Sequence, residues 1–265
     1  MVHIPLMKSH EGGFPFSEWT EDTDIADGLT DVGSKSAPCV FYMGSDWYLI
    51  AGESIGIFNG WKWSGSAWVT NSGIISGLTD VGINSAPYVF YMDSDWYLIA
   101  GEGSGVFNGW KWSGSAWVTN SGIVSGLTDV GNNSAPCVFY MDSDWYLIAG
   151  ELNNDINGWK WSGSAWVTNS GIVDGLPTGY PDMPSDVSLD VFYVGDILYM
   201  IIGFNDEDGF VGWQWDGSSW TSNDDIVVGL IAYHDMVMPT IFYMDSDWYC
   251  IVGDSYGLFY GFKGI

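Results

Sequence analysis

The segment Trp-Lys-Trp-Ser-Gly-Ser-Ala-Trp occurs three times in this chain, at Trp61–Trp68, Trp110–Trp117 and Trp159–Trp166, and a worn copy follows at Trp213–Trp220. No other feature constrains the fold as much. Each copy reads as a strand, a tight turn and a second strand. Aromatic residues alternate with small or polar ones at the period of a pleated strand. Ser-Gly or Asp-Gly then supplies the positive φ that a tight hairpin needs. The hairpin sits inside a longer repeat: Gly-Leu recurs every 49 residues at Gly28, Gly77, Gly126 and Gly175, and again after a longer interval at Gly229. Residues 77–125 and 126–174 are nearly the same sequence, which points to recent duplication or deliberate construction.

One unit predicts four short antiparallel strands: A, Pro38–Met43; B, Trp47–Ala51; C, Ile57–Trp63; and D, Ala67–Asn71. Repeated units of this kind are propeller blades. The fifth unit stops after strand C, and its missing strand D stands at the other end of the chain, where Trp19 and Ile25 match Trp68 and Ile74. The expectation is an all-β, five-bladed β-propeller of four-stranded antiparallel blades. An N-terminal strand completes the last blade and removes its exposed edges. Residues 17–265 are expected to form a single propeller domain with blade repeats starting near 28, 77, 126, 175 and 229. Residues 1–16 form an N-terminal extension without the continuous apolar region of an intact signal peptide. No run is long enough to span a membrane as a helix.

Lys and Arg number 6 against 33 Asp and Glu, giving a formal charge of −27. A chain this acidic repels nucleic acid and anionic membranes, so the partners expected are glycans or a protein. The three cysteines, Cys39, Cys137 and Cys250, form no Cys-x-x-Cys pair, which argues against zinc. Cys39 and Cys137 share one repeat position with Tyr88, and that interchange reads as a buried apolar site. So few thiols do not fix a compartment; a monomer in an extracellular or cell-surface setting is the expectation.

In a propeller the D–A and B–C connections share one face, and the A–B and C–D turns share the other. The first face collects Asp31, Asp80 and Asp129, with Glu53, Glu102 and Glu151, and with Asn59, Asn108 and Asn157 at the start of strand C. Carboxylates and amides beside aromatic rings suit the hydroxyls and apolar faces of sugars. Near-identical clefts would act together through avidity. The same aspartates also suit turn chemistry, and the same glutamates could satisfy loop amides. Blade number, repeat length and near-identity of units resemble the five-bladed propeller lectins of the tachylectin-2 type, although that lectin's own blade motif is absent. The resemblance implies the ring architecture and a carbohydrate ligand. The loop-face sorting makes these nine residues the expected contacts of a multivalent carbohydrate-binding ring. The likeness of blades 1–3, with no catalytic or metal-binding motif, argues against a catalytic residue, metal or cofactor. The acidic loop 205–209 offers Asp206 and Asp208 as calcium ligands, without the spacing of an EF-hand. Two alternatives stand beside it. One is a structural or protein-interaction ring. The other, less favoured, is a glycoside hydrolase, which needs paired carboxylates in different environments; only blades 4 and 5 offer unique groups, namely Asp182, Asp186, Asp190, His234 and Asp235.

Overall fold

A computed structural model of the chain describes residues 14–151, 155–176, 187–204, 209–235 and 237–265. The closing strand β1 is Trp19–Glu21. Blade 1 contains β2 (Ala37–Met43), β3 (Asp46–Gly52), β4 (Phe58–Trp63) and β5 (Trp68–Thr70). Blade 2 contains β6 (Ala86–Met92), β7 (Asp95–Gly101), β8 (Phe107–Trp112) and β9 (Trp117–Thr119). Blade 3 contains β10 (Ala135–Met141), β11 (Asp144–Gly150), β12 (Ile156–Trp161) and β13 (Trp166–Thr168). Blade 4 contains β14 (Ser188–Val194), β15 (Ile197–Gly203), β16 (Phe210–Trp215) and β17 (Trp220–Ser222). Blade 5 contains β18 (Met238–Met244), β19 (Asp247–Gly253) and β20 (Phe259–Gly264).

These strands form five four-stranded sheets, and the fifth runs β1-β20-β19-β18. The N-terminal strand pairs antiparallel with the last one, Trp19 opposite Gly264 and Glu21 opposite Phe262. The five-bladed, strand-closed propeller read from the repeat is therefore the fold. The predicted strands differ from the observed ones by one or two residues at their ends. The outermost strand is the most shortened, to three residues, because Asn71, Asn120 and Asn169 leave the ladder to cap the next turn; Asn71 Oδ1, for example, accepts from Ile74 N at 3.1 Å.

One latch, used five times, fixes blade to blade. The tryptophan that opens each outermost strand is buried, and its indole N–H donates to an isoleucine carbonyl in the turn after the preceding outermost strand. The bonds are Trp68 to Ile25 O, Trp117 to Ile74 O, Trp166 to Ile123 O, Trp220 to Ile172 O and Trp19 to Ile226 O, all 2.7–2.8 Å. The closing strand thus repeats the contact of the other four. The recurrent Gly-Leu belongs to the same latch: Gly28 has φ +81°, and a Cβ there would lie 2.1 Å from the Trp68 carbonyl oxygen. Gly229 stands in the same relation to Trp19, at 2.0 Å. Left-handed backbone and close approach both demand glycine there.

A second device stiffens the other face. Asp93-Ser94, Asp142-Ser143 and Asp245-Ser246 all carry positive φ, as the two-residue turns of tight hairpins require. The aspartate that follows holds a lysine of the third strand: Asp46–Lys62 2.9 Å, Asp95–Lys111 2.7 Å, Asp144–Lys160 2.6 Å and Asp247–Lys263 2.7 Å. Most of the chain's few cations are used here.

Candidate active site on the propeller axis

The innermost strands β2, β6, β10, β14 and β18 surround the axis. Register places Cys39, Tyr88, Cys137, Asp190 and Thr240 at one equivalent position, each opposite an isoleucine of the second strand. The inner edge of these strands has no further strand to pair with, so its amides need other partners. Side chains from the ring supply them one blade onward. Thr240 Oγ1 accepts from Val40 N at 3.2 Å, Cys39 Sγ from Val89 N at 3.3 Å and Asp190 Oδ2 from Ile241 N at 2.7 Å. Asp190 Oδ1 also accepts from its neighbour Val191 N at 2.9 Å and from the Tyr88 hydroxyl at 3.3 Å. The position read as apolar from the Cys/Tyr interchange is buried but polar.

Asp190 is 6% exposed. Burial raises its pKa to about 7, against the lowering effect of hydrogen bonds from Ile241, Val191, Tyr88 and Cys137. Burial likewise pushes Cys39 up to about 12 and raises Cys137, Cys250 and Tyr88 well above their ordinary values. The thiols are therefore protonated and unreactive near neutrality, and Asp190 is the one member of this ring that titrates near neutral pH.

The ring separates two cavities. On the D–A loop side, between Pro38, Pro87, Pro136 and Pro239, lies a space of about 30 Å³. On the A–B turn side lies a well of about 790 Å³, the size of a small-molecule site. Tyr88 lines both and so forms part of the floor. The walls carry Tyr42, Tyr91, Tyr140, Tyr193 and Tyr243, one from each blade. Four of these pack against a cross-strand tryptophan: Tyr42–Trp47 5.1 Å, Tyr91–Trp96 5.0 Å, Tyr140–Trp145 5.0 Å and Tyr243–Trp248 5.3 Å. In blade 4 the partner is Leu198, and the Tyr193 hydroxyl donates instead to Tyr140 O at 3.0 Å. Asp46 and Asp245 line the same well.

The predicted contacts lie on the opposite face. Asp31 and Asp129 are exposed, and each accepts at Oδ1 from the amide two residues on: Gly33 N at 2.6 Å and Gly131 N at 2.8 Å. Asp80 is exposed. Glu53 and Glu151 are buried beside these loops; burial raises both, with a further rise in Glu53 from Asp31 and in Glu151 from Asp155 and Asp129. Glu102 accepts from Gly82 N and the Ser104 hydroxyl, both at 2.5 Å, and from Asn108 Nδ2 at 3.3 Å. Asn59 Nδ2 is buried with no partner, and Asn157 sits opposite Ala149. The structure thus groups Asp31 with Glu53, Asp129 with Glu151 and Glu102 with Asn108. Asp182, Asp186, Asp206 and Asp208 lie outside the described residues. Among the described residues no group of three or more His, Cys, Asp or Glu is placed to hold a metal ion. His234 packs edge-on against Tyr256 at 4.6 Å, away from the axis-lining residues.

The sequence matches no protein-family model and no curated protein. Solved structures do resemble it. An exo-1,5-α-L-arabinanase from a bovine ruminal metagenomic library aligns over 90% of this chain and 94% of its own, with 9% identity and a TM-score of 0.57. An α-L-arabinanase mutant from Cellvibrio cellulosa covers 88% and 91%, with 12% identity and a TM-score of 0.60. A GH43_1 enzyme from Xanthomonas citri complexed with xylotriose covers 91% and 89%, with 12% identity and a TM-score of 0.60. Such low identity establishes a shared fold. It also corrects two expectations, a lectin-like function and the absence of catalysis. The first leaned on tachylectin-type propellers and the second on the likeness of blades 1–3, whereas the solved structures named above, which share this architecture over about nine-tenths of their length, are arabinanases and a GH43_1 enzyme. The physical basis of the error lies in the cavities: the large one opens on the A–B turn face, not among the repeated loop carboxylates.

Proposed function

We propose that this propeller is a glycoside hydrolase acting on neutral glycans in the axial well. The observation that carries the reading is a blind, aromatic-walled well whose floor touches a buried carboxyl group with a pKa of about 7. Tyrosine and tryptophan rings suit the apolar faces of sugars, and a charge of −27 disfavours anionic substrates. Glycosidic cleavage needs one carboxyl that is protonated near neutrality and a second that is ionised. Asp190 is the acid. It acts through Tyr88, whose hydroxyl reaches Asp190 Oδ1 at 3.3 Å and whose ring lines the well. With Asp190 protonated, the carboxyl donates to the phenol and the phenol proton goes to the leaving oxygen. The attacking water enters from the mouth, and its proton leaves through the solvent in the well toward Asp245 on the rim. The resemblance to arabinanases and xylosidases supports the substrate class.

The test is release of sugar from a panel of aryl α-L-arabinofuranosides and β-D-xylosides. Turnover is expected, falling as pH rises above about 7 because Asp190 loses its proton. Asp190→Asn and Tyr88→Phe are each expected to lower kcat by about 100-fold or more, the usual scale for a general acid. A wild-type chain that turns over none of these glycosides overturns the reading.

A further inference from the structure

The well is not radially symmetric, although the blades nearly are. Besides its axial walls it reaches outward over blade 1, along Asp46 and Trp47 to Trp63, Ser64 and Gly65 at the next turn, with Asp245 of blade 5 also on its lining. The equivalent outer turns of the other blades, around Trp112 and Trp161, do not line it. Yet blades 1, 2 and 3 share the same Trp-Lys-Trp-Ser-Gly segment. One difference at the rim is Gly44. Blades 2, 3 and 5 place Asp93, Asp142 and Asp245 there, all with positive φ. Gly44 has φ +72°, and a Cβ built on it meets nothing within 4 Å. Blade 4 also has a glycine, Gly195, but Leu198 replaces the tryptophan beside it. Blade 1 alone combines an uncluttered turn with the tryptophan pair Trp47 and Trp63.

We infer that this outlet is a subsite for the continuing chain of a linear oligosaccharide whose terminal unit occupies the axial well, and that an aspartate at Gly44, between the lining residues Tyr42 and Ser45, would crowd its rim. The inference rests on the glycan-processing reading above. A well closed at its floor admits a chain only by its end, so the rest of a substrate must leave sideways. Trp63 offers a half-buried indole at the outer limit of the path, and Ser64 offers a hydroxyl. Polar groups beside flat rings recognise polyols, not apolar peptides.

The experiment is calorimetric titration of linear xylo- and arabino-oligosaccharides of one to five units, alongside turnover of the aryl monoglycosides. Binding uses the Asp190→Asn chain to prevent cleavage. Affinity is expected to climb about tenfold or more between two and four units, which is about 1.4 kcal/mol. Gly44→Asp, a residue three sister turns already accommodate, is expected to abolish that climb, as is Trp63→Ala. Oligosaccharides that bind with length-independent affinity, or a climb that survives Gly44→Asp, would overturn the subsite while leaving the hydrolase reading intact. Aryl glycosides left uncut together with no oligosaccharide binding would bring down both.

Discussion

At Asp190 the cost of burying a carboxylate meets the need to satisfy strand-edge amides. The aspartate accepts two backbone N–H bonds, which favour ionisation, but burial wins and carries its pKa to about 7. The unfolded chain titrates the same group near 3.9. A folded pKa above the unfolded one means that the native state binds the extra proton between these values. Stability from this group is full below about pH 4 and declines as pH rises to about 7. We expect the wild type to lose up to roughly 4 kcal/mol more than Asp190→Asn across that window, judged by urea denaturation at each pH. Equal pH slopes for the two chains would show that Asp190 is ionised throughout. The sequence does contain the signal for this residue, since it occupies the third place of its innermost strand, as Cys39 and Tyr88 do. Asp190 stood out as a group unique to blade 4, but the interchange of Cys and Tyr hid its place in a polar ring, because both side chains are common in apolar interiors. Only a register across the longer connection before blade 4 aligns an aspartate with them.

Among the elements, the closing strand is the clearest test of how the ring holds. Its tryptophan makes the same 2.8 Å indole bond as its counterparts, but the strand belongs to a different end of the chain from the sheet it completes. Trp19→Phe keeps most of the buried ring and removes the donor, leaving the Ile226 carbonyl without its partner. A loss of about 1–3 kcal/mol is expected, comparable to Trp117→Phe within a continuous blade. Gly229→Ala should cost more, because its Cβ would meet the Trp19 carbonyl oxygen at 2.0 Å. Comparison of chemical denaturation midpoints for the three variants settles whether the borrowed strand is as firmly held as the native ones. These features were legible beforehand, because the 49-residue period copies tryptophan, isoleucine and glycine together. The axial well was not. Innermost strands are buried on both faces, so their alternation does not tell which side chains approach the axis, whereas the repeated polar loops advertised the opposite face.

For the whole molecule, the charge of −27 is spread over a compact ring whose main described cations are already paired with aspartates. Self-repulsion of this size destabilises a compact state and is screened by salt. The lysine–aspartate braces are too exposed to reverse the trend. Thermal scans should therefore show the melting temperature rising by several degrees between about 10 and 150 mM sodium chloride, a Debye length change from about 30 to 8 Å. A melting point that falls with salt would mean that local pairs outweigh the global field. The axial ring carries a different lesson for the assembly. Had duplication run to completion, five copies of one group would converge on a single line: five phenols would collide, and five carboxylates would repel one another in a dry interior. The break in the monotony at this one position lets a phenol, two thiols, a hydroxyl and a single carboxyl share the axis without five-fold crowding or five-fold repulsion.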